Sequence, residues 1–382
     1  MNDKIAYQAV AVFDGTKLHW GRSLVLSGGI VEGIVDNNSL PQDYTIRKFE
    51  GQIVSPGFVD LQVNGGDGVL LSNDPSLETL KRMSTAHINT GTAAFLPTLT
   101  TDAPEKVNCI ISAVSQAIQG NVPGIIGLHL EGPHLAKSKK GAHDAALIRS
   151  MEADDLETRC NAAMCLPSLM VTVAVEAVSP EQIQKLCAAG AIVSLGNTDG
   201  DHEACMKAVA AGATCAPHLY NAMSQSSGRT PGLVGAVLSS QQWSAGIIAD
   251  GHHVHPANVE VAYRTKAPTN GLFLVSDAMA LTGANSKEFD FGGGRVKRQN
   301  GRLELACGTL AAADIDLSTS VQNLMNFAHI DLEQALVCPT SAPAKAINRS
   351  PSIGSFVVGK QPHSLISFAA NDTTLITSVK LS

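Results

Sequence analysis

Acidic and imidazole side chains stand at the ends of several short apolar runs in this chain. Glu131 closes a run that begins at Ile125, and Gly132 and Pro133 follow it directly. Short apolar runs closed by turn residues are typical of buried parallel strands. Because an unpaired carboxylate is costly to bury, Glu131 is expected at a strand mouth, either on a metal or a substrate or as an ionic cap on a loop.

The same arrangement recurs along the chain, and its residue types suit catalysis with a divalent ion. The other polar residues at or just after such runs are Gln62, Asn64, Asn197, His218, Asp250, His252, His253 and Asp277. Taken singly, each is more often structural, but their coincidence at several strand ends indicates one shared site. Glu131 and His218 offer a carboxylate oxygen and an imidazole, the mixed donor set expected for Zn²⁺ or another first-row divalent ion.

Two further side chains have chemistry that such a site could use. A catalytic ion takes about three protein ligands and a water molecule. A carboxylate beside that water, such as Asp277, can take its proton and pass it to a leaving group. Arg229 lies in the loop SSGRTPG (226–232) without apolar neighbours. There it can bind a phosphate by paired hydrogen bonds or remain a solvated loop charge.

The elements that must position these residues alternate between strand and helix. Candidate strands are 58–64, 92–100, 125–131, 170–176, 191–197, 214–221, 244–251 and 272–278, with helical patterns at 76–91, 105–119, 180–190, 201–212 and 257–266. About eight βα units predict an α/β fold, a closed (β/α)8 barrel over residues 56–345, whose strand ends meet at one mouth. A doubly wound open sheet is the alternative, weakened because no Gly-rich phosphate fingerprint follows the first strand.

The ends of the chain and two interruptions complete the predicted architecture. Residues 1–55 and 346–382 share a strand character that the middle lacks, and they are predicted to form one small β-sandwich domain. Residues 132–155 are predicted to be a long loop after the third barrel strand, and about 286–311 a β-hairpin inserted after the eighth. Long loops on the rim of a barrel are often lids.

Composition excludes several classes of partner. A net charge of −7 argues against nucleic acid and anionic membrane surfaces. The start of the chain lacks the pattern of a signal peptide, and no window approaches an apolar membrane span, so a soluble, cytoplasmic protein is expected. None of the eight cysteines forms a C-x-x-C pair, and all are expected to be reduced core residues.

The chain closely resembles the N-acetylglucosamine-6-phosphate deacetylase family of the amidohydrolase superfamily. The matching segments are PGFVDLQVNG (56–65), LHLEGPH (128–134), KKGAH (139–143), PHLYNAM (217–223), GRTPGLVGA (228–236), GIIADGHHV (246–254) and LVSDAMALTGA (274–284). They cover almost the whole chain in the family's order. PGFVD alone is shared across the superfamily, whereas HLYNAM with GRTPG and ADGHH is specific to this branch.

The resemblance implies a role for each matching position near the metal. Glu131 and His218 match ligands of one divalent ion, with zinc as the expected metal. Asp277 matches the acid/base that activates water and protonates the departing amine. His143 matches the residue that contacts the substrate and polarises its acetamide carbonyl. Many amidohydrolases carry His-x-His after the first strand for a second metal, and the equivalent positions here are Gln62 and Asn64, a pattern that resembles the single-metal members.

The resemblance also implies how the sugar phosphate is held. Asn221 and Ala222 match positions that contact it. Arg229 and His253 match phosphate binders that reach in from the neighbouring subunit in the family. A homodimer with a phosphate site shared across its interface is therefore implied, with a small amino-sugar phosphate as the other partner.

One position departs from the family pattern. Asn197 stands where the family has a metal-ligating histidine. An amide oxygen is a weaker and harder ligand than imidazole, and His202, in the following helix, is not expected to substitute for it. Three explanations stay open: a natural variant that binds the ion through Asn197 or water, an engineered ligand change, or a chain that has lost activity. Pro217, before the ligand histidine, is expected only to stiffen the strand end.

The function that the resemblance implies is metal-dependent hydrolysis of N-acetylglucosamine 6-phosphate to glucosamine 6-phosphate and acetate. The nearest alternative is the same reaction on N-acetylgalactosamine 6-phosphate. A catalytically impaired sugar-phosphate binder is a second alternative, made credible by Asn197. A cyclic-amide hydrolase of the dihydroorotase type is disfavoured by the missing His-x-His and by the phosphate loop.

Overall fold

A computed structural model describes residues 4–379, except 292, 293, 300, 307 and 309. The chain begins with five strands: β1 (Lys4–Phe13), β2 (Leu18–Trp20), β3 (Arg22–Ser27), β4 (Ile30–Asp36) and β5 (Thr45–Pro56). They are rich in Val and Ile and break at glycine, which explains the short extended segments. Only Gly57 separates the end of β5 from the first barrel strand, so the N-terminal strands connect directly to the barrel.

The middle of the chain is an eight-stranded parallel barrel. In chain order its elements are β6 (Phe58–Val63), the ribbon β7 (Gly65–Gly66) and β8 (Val69–Leu70), α1 (Leu77–Asn89), β9 (Thr92–Leu99), α2 (Pro104–Gln119), β10 (Leu128–Glu131), α3 (Ala153–Cys165), β11 (Leu169–Val173), α4 (Pro180–Ala188), β12 (Ile192–Leu195), α5 (His202–Ala210), β13 (Cys215–His218), α6 (Gly232–Ser239), β14 (Ser244–Ile247), α7 (Pro256–Lys266) and β15 (Leu272–Leu274). Each barrel strand pairs with the next in sequence, and a parallel bridge between Val63 and Ala278 joins the last unit to the first. The predicted (β/α)8 fold is confirmed.

Local sequence explains where several helices begin. The Ser179 side chain accepts from the backbone N–H of Gln182, and the Gln182 side chain accepts from the backbone N–H of Ser179, so a capping box starts α4. Pro180 occupies its first turn, where no backbone N–H is needed. Two helices between barrel strands, α3 and α6, were not predicted from the sequence. α3 buries the charged residues Asp155 and Arg159, and α6 is apolar on all sides, so neither shows the usual amphipathic period.

The barrel is packed from inside and outside. Successive residues of β9 alternate between two apolar clusters: Phe95 belongs to the one shared with the helices, whereas Ala94 and Leu96 belong to the other. The second cluster also contains Ala342 and Ala344, which lie in α10 (Ser341–Ala346), after α8 (Leu317–Ala328) and α9 (Leu332–Val337). This helix therefore helps to fill the barrel interior, and the mouth at the other end is left for polar residues.

The insertion after the eighth barrel strand is larger than the predicted hairpin. It is a four-stranded antiparallel sheet of β16 (Glu288–Phe291), β17 (Gly294–Gln299), β18 (Arg302–Leu305) and β19 (Leu310–Ala313). The fourth strand escaped recognition because its alanine run lacks the β-branched and aromatic residues of typical strands. The predicted loop 132–155 also ends earlier, because α3 begins at Ala153.

The terminal strands form a small β domain, as predicted. β20 (Leu365–Ala369) and β21 (Asp372–Val379) join the first five strands in one hydrogen-bonded sheet of order β21-β20-β5-β1-β3-β4, with β2 paired to β1. The domain boundaries at residues 55/56 and 345/346 stay a prediction.

Two expectations from composition can be compared with the described part of the chain. None of its helices combines the length and apolarity needed to cross a bilayer. The seven cysteines in the described ranges are all free, as expected, but Cys109 and Cys165 are exposed, so their placement in the core was wrong. Both lie in outer helices, where a thiol tolerates solvent. Cys307 lies outside the described residues.

Candidate active site

Most of the polar residues predicted at the strand ends line one cavity of about 170 Å³, whereas Gln62, Asp250 and the exposed His252 do not. Its lining comprises Asn64, Thr100, Glu131, Gly141, Ala142, His143, Asn197, His218, Asn221, Ala222, Ile248, His253, Asp277, Met279, Phe291 and residues 310–312. Glu131 and His218 are the last residues of β10 and β13, which places them at the mouth of the barrel. Phe291 and residues 310–312 belong to the inserted sheet, so this sheet and the loop after β10 both cover the mouth.

Glu131 is the central group of the cavity. Its Oε1 accepts a hydrogen bond of 2.8 Å from His218 Nε2 and one of 3.3 Å from Gln62 Nε2. Its Oε2 lies 3.6 Å from His143 Nε2. Burial alone would raise the pKa of the Glu131 carboxyl, but the imidazoles of His143 and His218 outweigh it and hold that pKa well below its usual range. Glu131 is therefore an anion that attracts a cation to the mouth.

His218 carries the complementary charge in the absence of a metal. Burial would lower the pKa of its imidazole, but the hydrogen bond and charge of Glu131 outweigh it and raise that pKa to about 9. Its Nδ1 is buried without a partner among the described residues. A metal ion on this pair would replace a proton, because a ligating imidazole must be neutral.

Asp277 lines the same cavity, and the pKa of its carboxyl moves in the opposite direction from that of Glu131. It follows β15 in a left-handed conformation, with a φ of 47°, and its Oδ1 accepts 2.8 Å from Asn64 Nδ2. Burial and the charge of Glu131 raise the pKa of its carboxyl to about 6. A carboxylate with such a pKa is suited to take and return a proton near neutral pH.

His143 presents one defined nitrogen to the cavity. The backbone N–H of Thr101 donates to His143 Nδ1 at 3.2 Å, and the Thr101 hydroxyl lies 2.8 Å from the same atom. Because Nδ1 accepts from a backbone N–H, the neutral ring carries its proton on Nε2. That N–H faces the Glu131 side of the cavity and can donate to a substrate oxygen.

Asn197 also lies in the cavity, with an amide oriented by the loop after β10. Its Nδ2 donates to the carbonyl oxygen of Lys139 at 3.1 Å, whereas its Oδ1 is buried without a partner among the described residues. His202 begins α5 and does not line this cavity, as expected. Pro217 lies inside β13, where the pairing with β14 shifts register between Ala216 and His218, a local irregularity rather than mere stiffening.

The residues expected to hold a sugar phosphate fall into two groups. Asn221, Ala222 and His253 line the cavity, and the Asp250 carboxylate fixes His253 by a contact of 2.6 Å to its Nδ1. Arg229 lies on an exposed loop and is not part of the cavity lining within one chain.

Two buried residues near the site were not singled out from the sequence. Asp60 accepts hydrogen bonds from the backbone N–H groups of Gln62 and Ser276 and so ties the first strand to the residue before Asp277. Burial raises the pKa of its carboxyl to about 7. His129, two residues before Glu131, contacts Thr172 Oγ1 at 2.7 Å beneath the mouth. A carboxylate inside the apolar run FVDLQVN was the available signal for Asp60.

Several buried polar atoms at the mouth have no partner among the described residues and are available to a ligand. Buried polar atoms left without partners in the described part of the mouth are Gln62 Oε1, Asn64 Oδ1, Asn197 Oδ1 and His218 Nδ1. Among the described residues there is no group of three His, Cys, Asp or Glu arranged to hold a metal. The residues present fit a divalent ion, because the Glu131 carboxylate and the His218 imidazole offer two ligands and the unpartnered amide oxygens and water are further donors.

An eight-stranded barrel whose mouth holds a buried carboxylate–imidazole pair and a second carboxylate of raised pKa is suited to the activation of water for hydrolysis. Comparison with known proteins gives the family. The model of the amidohydrolase family matches residues 53–377, so the chain belongs to that family, whose members generally use a divalent metal.

Individual relatives share the architecture over nearly their full length. The chain is 40% identical over 343 residues to N-acetylgalactosamine-6-phosphate deacetylase of Shewanella sp. strain ANA-3, covering 89% of this chain and 86% of the relative. It is 32% identical to N-acetylglucosamine-6-phosphate deacetylase of Haemophilus influenzae, covering 88% of each. The crystal structure of N-acetylglucosamine-6-phosphate deacetylase from Pasteurella multocida superposes with a TM-score of 0.93 at 31% identity, covering 99% of this chain and 98% of that one.

Proposed function

We propose that this chain hydrolyses the acetamide of an N-acetyl amino-sugar 6-phosphate, with N-acetylglucosamine 6-phosphate as the substrate and glucosamine 6-phosphate and acetate as products. The observation that carries the proposal is the pairing, in one cavity, of the Glu131–His218 ligand pair with Asp277. Relatives named for this reaction match the chain at 32% identity or more. A mutant of one solved neighbour, from Mycobacterium smegmatis, was crystallised with N-acetylglucosamine 6-phosphate.

The chain's own residues divide the work of the reaction. One divalent ion per subunit, Zn²⁺ in this proposal, would be held by Glu131 and His218 and would polarise the amide carbonyl and lower the pKa of a water molecule. Asp277 takes the proton of the attacking water and returns it to the departing nitrogen. His143 donates its Nε2–H to the acetamide oxygen, where negative charge develops.

The phosphate is recognised at a distance from the reacting bond. Asn221, Ala222 and His253 line the cavity of their own chain, whereas Arg229 does not. The proposal therefore includes a homodimer, in which the exposed Arg229 guanidinium reaches the cavity of a second copy and binds the phosphate by paired hydrogen bonds. Binding energy gained there orients the amide for attack. A cytoplasmic location fits such a phosphorylated substrate.

N-acetylgalactosamine 6-phosphate is the second candidate substrate, favoured by the 40% identity to the Shewanella relative. The two sugars differ at one hydroxyl, so the same residues would act on both. Acetate release should therefore be measured on both sugar phosphates with the same enzyme. The substrate with the higher kcat/KM identifies the natural preference.

The experiment that tests the proposal combines metal analysis with acetate release. We expect about one divalent ion per chain in the purified protein and acetate release from at least one of the two sugar phosphates. Arg229→Ala should raise KM for the phosphorylated sugar far more than for the same sugar without phosphate. A metal-loaded protein that binds the sugar phosphate without releasing acetate would instead be an impaired binder. Equal effects of Arg229→Ala on both sugars would remove the phosphate assignment.

A further inference from the structure

Asn197 is held in one orientation by the loop that follows β10. Its backbone carbonyl accepts from the N–H of Ala136 at 2.9 Å, and its side-chain Nδ2 donates to the carbonyl oxygen of Lys139 at 3.1 Å. A carbonyl oxygen can only accept, so the NH₂ group of the amide must face Lys139. The orientation of the amide is thereby fixed.

The side-chain oxygen of Asn197 has lone pairs available to bind a ligand in the cavity. Asn197 is only 1% exposed and lines the same cavity as Glu131 and His218. Its Oδ1 has no hydrogen-bond partner in the described part of the chain. A buried amide oxygen without a partner is costly, which points to a ligand that satisfies it when the site is loaded.

The left-handed backbone at this position helps asparagine to fill the role. Asn197 has a φ of 48°, a conformation that asparagine adopts more readily than most other residues. Its amide can bind a cation through oxygen while it donates through nitrogen to Lys139. An aspartate could do the first but not the second.

We infer that Asn197 Oδ1 is the third protein ligand of the ion on Glu131 and His218, and that this oxygen-rich set shifts selectivity from Zn²⁺ toward Mn²⁺. The inference rests on the proposed function, which places an ion at this pair. Two oxygens and one imidazole nitrogen make a harder donor set than a site with two imidazoles. Zinc still binds, but its advantage over manganese is smaller than it would be with histidine at position 197.

The test measures metal affinity in the absence of substrate. Dissociation constants for Zn²⁺ and Mn²⁺ are determined by competition with a chromophoric chelator for the full chain and for Asn197→His. We expect the histidine variant to raise the preference for Zn²⁺ over Mn²⁺ by about tenfold or more. A preference within about threefold of the parent chain would overturn the inference.

Two more variants keep the test decisive if the histidine variant folds poorly. Asn197→Ala removes the oxygen and should weaken the binding of both ions by about tenfold or more. The variant and the parent chain, both kept metal-free by a chelator, should unfold at the same midpoint. Gln62→Ala is the matched control, because Gln62 also has a buried, unpartnered oxygen next to Glu131 but does not line the cavity. We expect it to leave the preference unchanged. A shift in Gln62→Ala with none in the Asn197 variants would transfer the role to Gln62.

The outcomes separate this inference from the proposed function. Acetate release with no change in metal preference would leave the function standing and remove Asn197 as a ligand. A changed metal preference without acetate release in the presence of either ion would leave Asn197 as a ligand and remove the proposed function.

Discussion

Glu131 and Asp277, the two carboxylates that line the cavity, have the same chemistry but opposite pKa shifts. Glu131 is flanked by the imidazoles of His218 and His143, and its pKa lies well below its usual range. Burial and the negative charge of Glu131 raise the pKa of Asp277 to about 6, although the hydrogen bond from the Asn64 amide opposes them. The difference shows that neighbours, not residue type, make one carboxylate a stable anion and give the other a pKa suited to proton transfer near neutral pH.

The largest expected effect comes from the proton-moving side. Asp277→Asn keeps the shape and the contact with Asn64 but cannot take a proton. We expect kcat to fall by about 10³-fold or more while metal content and sugar-phosphate binding stay near those of the parent chain. The measurements are kcat, metal content and substrate affinity by calorimetry. Turnover within about tenfold of the parent would remove Asp277 as the base.

Substitution of Glu131, the proposed metal ligand, should lower activity by a different route, the loss of bound metal. Glu131→Gln removes the charge that attracts the ion, so the dissociation constant for Zn²⁺ should rise by about 100-fold. Part of the activity should return in excess metal, because Asp277 is intact. Titration of activity with Zn²⁺ checks this, with Asp277→Asn as the control that excess metal does not rescue. Equal metal loss in the two variants would contradict the division of roles.

A smaller effect should appear in the pH dependence of kcat/KM. Asn64 donates to Asp277 and so favours its charged form and lowers its pKa. Asn64→Ala removes this bond, so the pKa rises and the acid limb of the profile moves to higher pH by about one unit. The direction does not depend on the bound ion, whose positive charge lowers the pKa in both proteins.

Gln62→Ala is the matched control for this pH experiment. It removes a neighbouring amide that donates to Glu131 instead of Asp277, so the acid limb should not move. Profiles are recorded for both variants between pH 5 and 9 at saturating metal. An acid limb that moves to lower pH in Asn64→Ala would show that Asp277 is not the group that titrates.

The sequence predicted the strands of the barrel better than their ends. Apolar runs closed by turn residues located all eight strands, because buried parallel strands need that composition. The eighth strand ends at Leu274 rather than at 278, however. Its run continues as LVSDA, but the left-handed backbone at Asp277 ends the regular pairing. No pattern of hydrophobicity encodes such a turn when the residue is not glycine.

The residue types at the site were predictable, whereas their partners were not. Glu131, His218 and Asp277 were expected to meet because parallel strand ends share one edge, and they do line one cavity. The contact of Asn197 with Lys139 depends on how the loop after β10 folds back across the mouth. Which ring nitrogen of the neutral His143 carries the proton depends on the backbone N–H of Thr101, which donates to Nδ1. Such details are set by three-dimensional contacts that spacing does not reveal.

A third carboxylate sharpens the comparison, because Asp155 also has a strongly shifted pKa but lies away from the mouth. Burial would raise the pKa of its carboxyl, but the hydrogen bonds of the Arg149 guanidinium and the Glu152 N–H outweigh it and lower that pKa to about 2. Arg149 lies near the end of the loop after β10, where its backbone N–H donates to the carbonyl oxygen of Pro133. The environment thus assigns Asp155 to a structural role.

Asp155→Asn should therefore change stability and leave chemistry almost unaltered. It leaves the buried Arg159 beside an uncharged partner, so the free energy of unfolding in urea should fall by about 3 kcal/mol at pH 7. A carboxyl with a lowered pKa stabilises the fold above its ordinary pKa of about 4 and loses this contribution as pH falls toward 2. The difference between the parent chain and the variant should shrink over that window. We expect kcat within about twofold of the parent, since Asp155 touches neither the ion site nor Asp277. A large fall in kcat at unchanged stability would show that Asp155 takes part in the reaction and would contradict its structural role.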